Sequence, residues 1–213
     1  MEMKVNLSRP DITEAEIEAV CDVLRGPNLS LGPKLREFEQ AFEAYNGRKH
    51  AVAVNSGTSG LFLCTQALGW GPGDEVLTTP FTFISSVTSI MMAGATPVFV
   101  DIDPVSLNID PTRIEEKITD KTRAVLPVEV FGNPAGIDQI CAIADKHNLT
   151  VLEDSCEALG SEVNGKTCGA LGHAATFAFY PNKQITTGEG GIILTDDDHI
   201  ARMCSALRNQ GRF

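Results

Sequence analysis

The strongest constraint on the fold of this chain is a series of short apolar segments that alternate with helix-like segments from His50 onward. The apolar segments are rich in Val, Ile, Leu and Ala and show no polar alternation, which is typical of strands covered by helices on both faces. Strands are predicted at 51–54, 75–78, 97–100, 124–128 and 151–153, and helices at 59–68, 84–93, near Ile114 and at 137–146. This order predicts an α/β fold with a mostly parallel central sheet flanked by helices.

The two ends of the chain have a different pattern. Residues 1–48 form a predicted helical segment, which begins with a capping box made by Thr13 and Glu16. Its first helix ends at Gly26, and its second runs from about Lys34 to Asn46. Near the other end, predicted strands at 174–179 and 191–194 are joined by a Gly-rich turn and followed by a helix at 200–207. Because no repeat or linker separates these parts, residues 1–213 are predicted to form one domain.

The charge balance and the cysteine pattern limit the kinds of partner. A formal net charge of -11 leaves no basic patch for nucleic acid or an anionic membrane. The six cysteines make no C-x-x-C pair, and no histidine stands at metal-ligand spacing from them, so no metal site is predicted. No apolar run approaches membrane-spanning length. We therefore expect a cytoplasmic protein with free thiols.

The first candidate site segment, residues 55–60 (NSGTSG), lies between a predicted strand and a predicted helix. Its small side chains let backbone N–H groups at a helix N-terminus face an anion, and the hydroxyls of Thr58 and Ser59 can add hydrogen bonds. A plain tight turn with a helix cap explains the segment equally well. A Walker-type phosphate loop does not, because no Gly-Lys-Ser or Gly-Lys-Thr follows.

The second segment, residues 153–160 (EDSCEALG), follows a buried predicted strand. A carboxylate at the end of such a strand is costly unless it is paired or faces a cation. Asp154 is therefore a metal ligand, a helix cap or the partner of a protonated ring nitrogen. A helix cap is the simplest of these three interpretations.

The third segment, residues 176–191, contains Lys183 between a strand and a Gly-rich turn. The nearby sequence has few charges, so this lysine can be desolvated, which prepares its amine for attack on an aldehyde. A solvated loop lysine is the alternative. Taken together, the three segments offer a phosphate cradle, a carboxylate and an amine, which are the groups that pyridoxal phosphate requires of a protein. In an open α/β sheet they should meet where the strands end.

With these segments in place, the chain resembles the DegT/DnrJ/EryC1/StrS family of sugar aminotransferases. That resemblance implies the large domain of a pyridoxal-phosphate-dependent transferase of fold type I. The motifs that carry it cover almost the whole chain, at 7–10, 31–33, 55–60, 79–83, 97–101, 132–134, 154–160, 179–191 and 208–211.

The resemblance also implies roles for individual residues. Lys183 would form the Schiff base with pyridoxal phosphate and then shuttle the substrate proton, and Asp154 would pair with the ring nitrogen. Phe83 would stack on the ring, and Glu157 would approach the ring substituents. The phosphate would be held by Gly57, Thr58 and Ser59. The substrate would be a nucleotide-linked keto-sugar, the donor an amino acid such as glutamate, and the assembly a homodimer.

The sequence departs from the family pattern at three places. Ala178 stands where relatives commonly have Ser in contact with the phosphate, and Glu129 stands where they commonly have His. The chain also ends at Phe213, well short of relatives. We therefore expect an incomplete active site, self-association, and a final helix whose apolar face is partly bare.

Three other functions compete with an aminotransferase. The related dehydratases carry His at the Schiff-base position, which Lys183 argues against. A non-catalytic, cofactor-binding fragment would bind pyridoxal phosphate without turnover. A Rossmann-type nucleotide binder would need G-x-G-x-x-G after its first strand, and that motif is absent.

Overall fold

A computed structural model describes residues 8–212 of the chain. Leu7, the first residue of the motif at 7–10, and Phe213 lie outside the described residues. The core is a seven-stranded sheet with the order β1-β9-β8-β5-β4-β2-β3. Its strands are β1 (His50–Val54), β2 (Glu75–Thr78), β3 (Thr96–Phe99), β4 (Thr122–Leu126), β5 (Thr150–Asp154), β8 (Ala174–Ala178) and β9 (Gly191–Thr195).

Six of these strands run in one direction, and β9 runs in the opposite one. All neighbours from β8 to β3 pair in parallel, whereas β9 pairs antiparallel with both β8 and β1. The prediction of a mostly parallel sheet is therefore confirmed. The antiparallel pairing sets Ala178 opposite Gly191, so the loop between β8 and β9 lies at the edge where the other strands end.

Helices cover both faces of the sheet. Their bounds are α1 (Glu14–Arg25), α2 (Pro33–Asn46), α3 (Gly57–Ala67), α4 (Ser85–Met92), α5 (Ile137–His147) and α6 (Asp198–Leu207). One face packs against α3, α4 and α6, where Leu61, Ile90 and Cys204 are fully buried. The other face packs against α5 through Ile140 and against α2 through Phe42.

The prediction of a helix near Ile114 is wrong. The structure has two 3₁₀ turns there, Pro111–Arg113 and Glu115–Lys117, with Ile114 between them and fully buried. Ile118 returns to extended backbone, so the segment is too short for a helix of several turns. The short hairpin formed by β6 (Glu162–Val163) and β7 (Lys166–Thr167) was not predicted.

The apolar face of the last helix is bare at one end only. Ile200 and Cys204 of α6 pack into the core beside α3, Met203 packs against them, and Leu207 alone of the four face residues remains 36% exposed. The reason is that α6 folds back across α3 and the ends of β1 and β9.

The exposed apolar stripe lies instead on α1. The predicted capping box is present, because Thr13 and Glu16 bond to each other's backbone N–H groups. However, no residue of α1 is buried, and its apolar side chains are exposed to the extent of 45% at Ile17, 59% at Val20 and 65% at Leu24. Nothing else in the described part of the chain packs over this stripe.

Candidate active site

A cavity of about 740 Å³ opens where β1, β5 and β8 end. This is the edge at which ligands collect in open α/β sheets. All three candidate segments reach it, as the sequence predicted. Among the residues that line it are Gly57, Thr58, Phe83, Asp154, Glu157, Ala178 and Lys183.

The N-terminus of α3 forms one wall. The helix begins at Gly57, two residues earlier than predicted, because the Ser56 side chain caps it by accepting from the N–H of Ser59. The first N–H groups of a helix have no partner within the helix. Those of Gly57 and Thr58 therefore remain for an anion, and the helix dipole favours negative charge at this end.

Gly57 sits where no larger residue fits. A Cβ there would lie 2.7 Å from the Cys156 sulfur and 2.8 Å from the Ala178 Cβ. The absence of a side chain lets the helix N-terminus approach the ends of β5 and β8 closely. The N-terminus of α3 is thereby packed directly beside Cys156 and Ala178.

Asp154 is the last residue of β5 and is only 4% exposed. Its Oδ2 accepts a hydrogen bond from the Ser86 hydroxyl at 2.6 Å, and its Oδ1 accepts from the Cys156 N–H at 3.3 Å. The carboxylate nevertheless lines the cavity. A carboxylate held in this way can pair with a cationic nitrogen of a ligand.

Lys183 lies in the loop between β8 and β9, and its side chain is 17% exposed. The amine is thus largely removed from water, as expected, but it is not in a charge-poor setting. Its Nζ lies 3.0 Å from Glu157 Oε1, in an ion pair. The sequence could not show this pair, because Glu157 reaches the lysine from the segment after β5.

Glu157 also stabilises an unusual backbone conformation. Its Oε2 accepts from the N–H of Phe131 at 2.9 Å, and Phe131 has a φ of 54°. A bulky residue in the left-handed region is strained, and such strain clusters at functional sites. The Phe131 ring makes an edge contact with Phe81 at 6.2 Å. These two aromatic rings form part of the cavity wall.

Two side chains near the cavity, those of Ser59 and Cys156, are not in a position or a charge state to react with a ligand directly. Ser59, a predicted phosphate ligand, is not among the lining residues, and its N–H is taken by the Ser56 cap. Cys156 lines the cavity, but burial, reinforced by the Asp154 carboxylate, raises the pKa of its thiol well above 9.0. It therefore stays neutral at physiological pH.

Two further buried carboxyl groups lie beside Asp154 in the sequence or the sheet. Glu153 accepts from three backbone N–H groups, those of Gly169, Leu171 and Gly172. Glu129 has no hydrogen-bond partner for either oxygen among the described residues. The pKa of Glu129 is raised well above 4.5, first by burial and then by the Glu153 carboxylate. The nearby Ser155 hydroxyl acts in the opposite direction and lowers the pKa of Glu129, although no hydrogen bond of normal geometry joins Ser155 to Glu129.

Sequence reasoning missed several residues of the site. Ser86 belongs to no motif, and its bond to Asp154 becomes visible only in the three-dimensional structure. Others lie inside recognised motifs without an assigned role, namely Phe81, Cys156, Tyr180, Asn182 and Glu189. Their position inside the motifs at 79–83, 154–160 and 179–191 was the only available signal.

The comparison with known families decides the relationship. A model of the DegT/DnrJ/EryC1/StrS aminotransferase family matches residues 10–213. The chain belongs to this family. Solved relatives contain pyridoxal phosphate or pyridoxamine phosphate, and the family is pyridoxal-phosphate-dependent.

Individual relatives agree with this assignment. GDP-perosamine synthase of Caulobacter vibrioides is 48% identical over 182 residues, which are 85% of this chain and 49% of that protein. The aminotransferase of Psychrobacter cryohalolentis has a TM-score of 0.90 at 41% identity, with 93% of this chain and 51% of that one covered. DesI, solved in the presence of its TDP-sugar product, has a TM-score of 0.89 at 36% identity and corresponding coverages of 95% and 52%. The chain spans about half the length of these relatives.

One finding bears on membranes. Among residues 8–212, no helix combines the length and the apolar character needed to cross a bilayer.

Proposed function

We propose that this chain binds pyridoxal phosphate in the cavity and transfers an amino group from an amino acid such as glutamate to a nucleotide-linked keto-sugar. The observation that carries the proposal is the convergence of Lys183, Asp154 and the N-terminus of α3 on one cavity. Those groups match the aldehyde, the ring nitrogen and the phosphate of the cofactor. The cavity volume also falls in the range typical of small-molecule sites.

The residues present fit the cofactor. The N–H groups of Gly57 and Thr58 would receive the phosphate, and the lack of a Cβ at Gly57 lets the N-terminus of α3 lie against Cys156 and Ala178. Asp154 would pair with the ring nitrogen, and Phe83, which is 76% exposed, is free to cover a ring face. Ser59 would act indirectly, by donating its N–H to the Ser56 side chain that caps α3.

When bound, pyridoxal phosphate would supply an aldehyde that captures amino groups and a ring that accepts negative charge. Lys183 Nζ would hold the cofactor by its aldehyde carbon. As a free amine, Nζ would take the proton from the reacting carbon of the substrate and return it. Glu157 would have to release Nζ of Lys183 before Nζ bonds to the cofactor. Its carboxylate would orient Nζ again when Nζ carries the proton as an ammonium group.

The sugar part of the proposal is supported by the relatives. One is a GDP-perosamine synthase, and another was solved with a TDP-sugar product. Both names concern nucleotide-linked sugars.

We also propose a cytoplasmic homodimer. The aromatic side chains at the cavity mouth are well exposed, by 41% at Phe81 and 76% at both Phe83 and Phe131. A second subunit over this mouth would cover them and exclude water from the cofactor. Exposed apolar groups of this kind commonly mark protein interfaces.

The test is amino transfer from ¹⁵N-glutamate to a panel of nucleotide-linked keto-sugars, with the corresponding free sugars in parallel. We expect ¹⁵N in the nucleotide-linked products only, and its complete loss in Lys183→Ala. Lys166→Ala is the matched control, because Lys166 lies on the exposed β7 hairpin away from the cavity. A visible cofactor band without transfer to any sugar would replace the proposed activity by cofactor binding alone.

A further inference from the structure

The side chain of Ser86 has an unusual position for a residue outside every motif. It lies in the first turn of α4, is completely buried, and places its hydroxyl 2.6 Å from Asp154 Oδ2. A second hydroxyl, that of Thr82, lies 2.7 Å from the Ser86 oxygen and lines the cavity. The three side chains therefore form a continuous chain from the cavity wall to the carboxylate.

The direction of the hydrogen bonds follows from the chemistry of the end group. An ionised carboxylate only accepts, so the Ser86 hydrogen goes to Asp154. The Phe83 carbonyl oxygen, 3.3 Å from the same hydroxyl, is a longer and uncharged competitor for that hydrogen. Because Ser86 has used its only hydrogen, Thr82 must donate to Ser86.

A chain of donors that ends on a carboxylate stabilises the charged form of that carboxylate. Each hydroxyl polarises the next, and a hydrogen bond to a charged acceptor is stronger than a neutral one. The chain also holds Oδ2 in one place, which fixes the plane of the carboxylate at the cavity. Cys156 N–H restrains the other oxygen more weakly, at 3.3 Å.

We infer that Ser86, supported by Thr82, is a positioning residue that keeps Asp154 ionised and oriented towards the ring nitrogen of the cofactor. This inference rests on the proposed function. Its consequence concerns one proton, which can lie either on the ring nitrogen with Asp154 charged or on Asp154 with the ring neutral. Donors to the charged carboxylate favour the first arrangement.

The test is the ¹⁵N resonance of the ring nitrogen in protein loaded with ¹⁵N-labelled pyridoxal phosphate, since this resonance distinguishes a protonated from a neutral ring. In Ser86→Ala the ratio of protonated to neutral ring should fall by about tenfold, the equivalent of ~1.4 kcal/mol and of the loss of one hydrogen bond to a charged group. Ser86→Thr keeps the hydroxyl and should restore the wild-type resonance.

Two other variants complete the set. Thr82→Val keeps the shape of the side chain but removes the donor to Ser86. It should shift the ring-nitrogen resonance in the same direction as Ser86→Ala, but by less. Because it leaves the buried Ser86 unchanged, it also serves as the test if Ser86→Ala does not fold. Ser89→Ala is the matched control, because Ser89 is equally buried on α4 but donates to the Ser86 carbonyl oxygen. It should match the wild type.

The outcomes separate this inference from the function on which it rests. A wild-type ring-nitrogen resonance in cofactor-loaded Ser86→Ala would overturn the inference and leave the proposed function intact. If Ser86→Ala does not fold, the same result in Thr82→Val would do so. A shift of equal size in Ser89→Ala would show a general effect of packing and would also overturn it. A wild-type protein that binds no pyridoxal phosphate would overturn both.

Discussion

Glu153 and Asp154 are adjacent residues at the end of the same buried strand, yet the structure treats them in opposite ways. Side chains alternate across a strand, so the two carboxylates point to opposite faces of the sheet. Glu153 is fully buried and bonded to three backbone N–H groups, with the Arg48 guanidinium 3.9 Å away. Asp154 has one strong donor, Ser86, and faces the cavity.

The difference indicates that Glu153 serves stability and Asp154 serves function. Glu153 bonds the segment 169–172 to the sheet and lies near Arg48, so its charge is fully compensated within the fold. Asp154 keeps part of its charge available for a ligand. A buried carboxylate with incomplete partners beside a cavity is a candidate functional group, whereas a saturated one is structural.

The largest expected effect is a contrast between two matched variants. Asp154→Asn should keep the fold and some cofactor but lower amino transfer on the order of 10²-fold, because the uncharged amide cannot hold the ring nitrogen protonated. Its free energy of unfolding should change by only about 1 kcal/mol. Steady-state rates and urea unfolding measure the two quantities.

Glu153→Gln should show the reverse profile. The amide NH₂ group would face backbone N–H donors, so the free energy of unfolding should fall by about 3–5 kcal/mol. Cofactor affinity per folded molecule should stay near the wild-type value in titrations below the unfolding midpoint. Glu162→Gln, at an exposed position, controls for the loss of charge. Unchanged stability in Glu153→Gln would remove the distinction between the two faces.

Glu129 extends the comparison to a carboxyl group that has no hydrogen-bond partner among residues 8–212. Its raised pKa means that the folded state keeps the proton where an unfolded glutamate has lost it. The free energy of unfolding should therefore fall as the pH rises above the ordinary value of 4.5, by up to about 1.4 kcal/mol per pH unit until the raised pKa is reached.

Glu129→Gln cannot ionise and should lack this slope. Urea unfolding at pH 5, 6, 7 and 8 should show the variant gaining stability relative to the wild type as the pH rises. Parallel profiles would mean that Glu129 is charged in the folded protein, and that it has a partner.

The smallest effect concerns the phosphate end of the cavity. Ala178→Ser would add a hydroxyl beside Gly57, where the resemblance to the family implies one. We expect pyridoxal phosphate to bind up to about tenfold more tightly, equivalent to ~1.4 kcal/mol. Weaker binding in fluorescence titrations would show that the added oxygen crowds the close contact between Ala178 and the N-terminus of α3.

How far the sequence predicted the molecule depends on whether a feature is local. The strands and most helices follow from apolar runs and caps, and the meeting of three segments follows from parallel strands ending at one edge. Ser86 beside Asp154 and Glu157 beside Lys183 could not be predicted, because they join residues far apart in sequence. The same limit applies to α1, because its capping box predicts the start of a helix but not the exposure of its apolar side chains.

The conformation of Phe131 lies between these cases. Gly132 and Asn133 indicate a turn, but a left-handed aromatic residue is disfavoured by its own chemistry. It exists because Glu157 accepts from its N–H. Strain supported by a distant contact leaves no pattern in the sequence.

The central claim, that Lys183 is the amine of the cofactor site, has a direct measurement. The protein is incubated with pyridoxal phosphate, reduced with borohydride and digested, and the peptide that carries the cofactor mass is sequenced. We predict a single modified peptide with the label on Lys183, and no label at that peptide in Lys183→Ala. Labelling of any other lysine in its place would contradict the account.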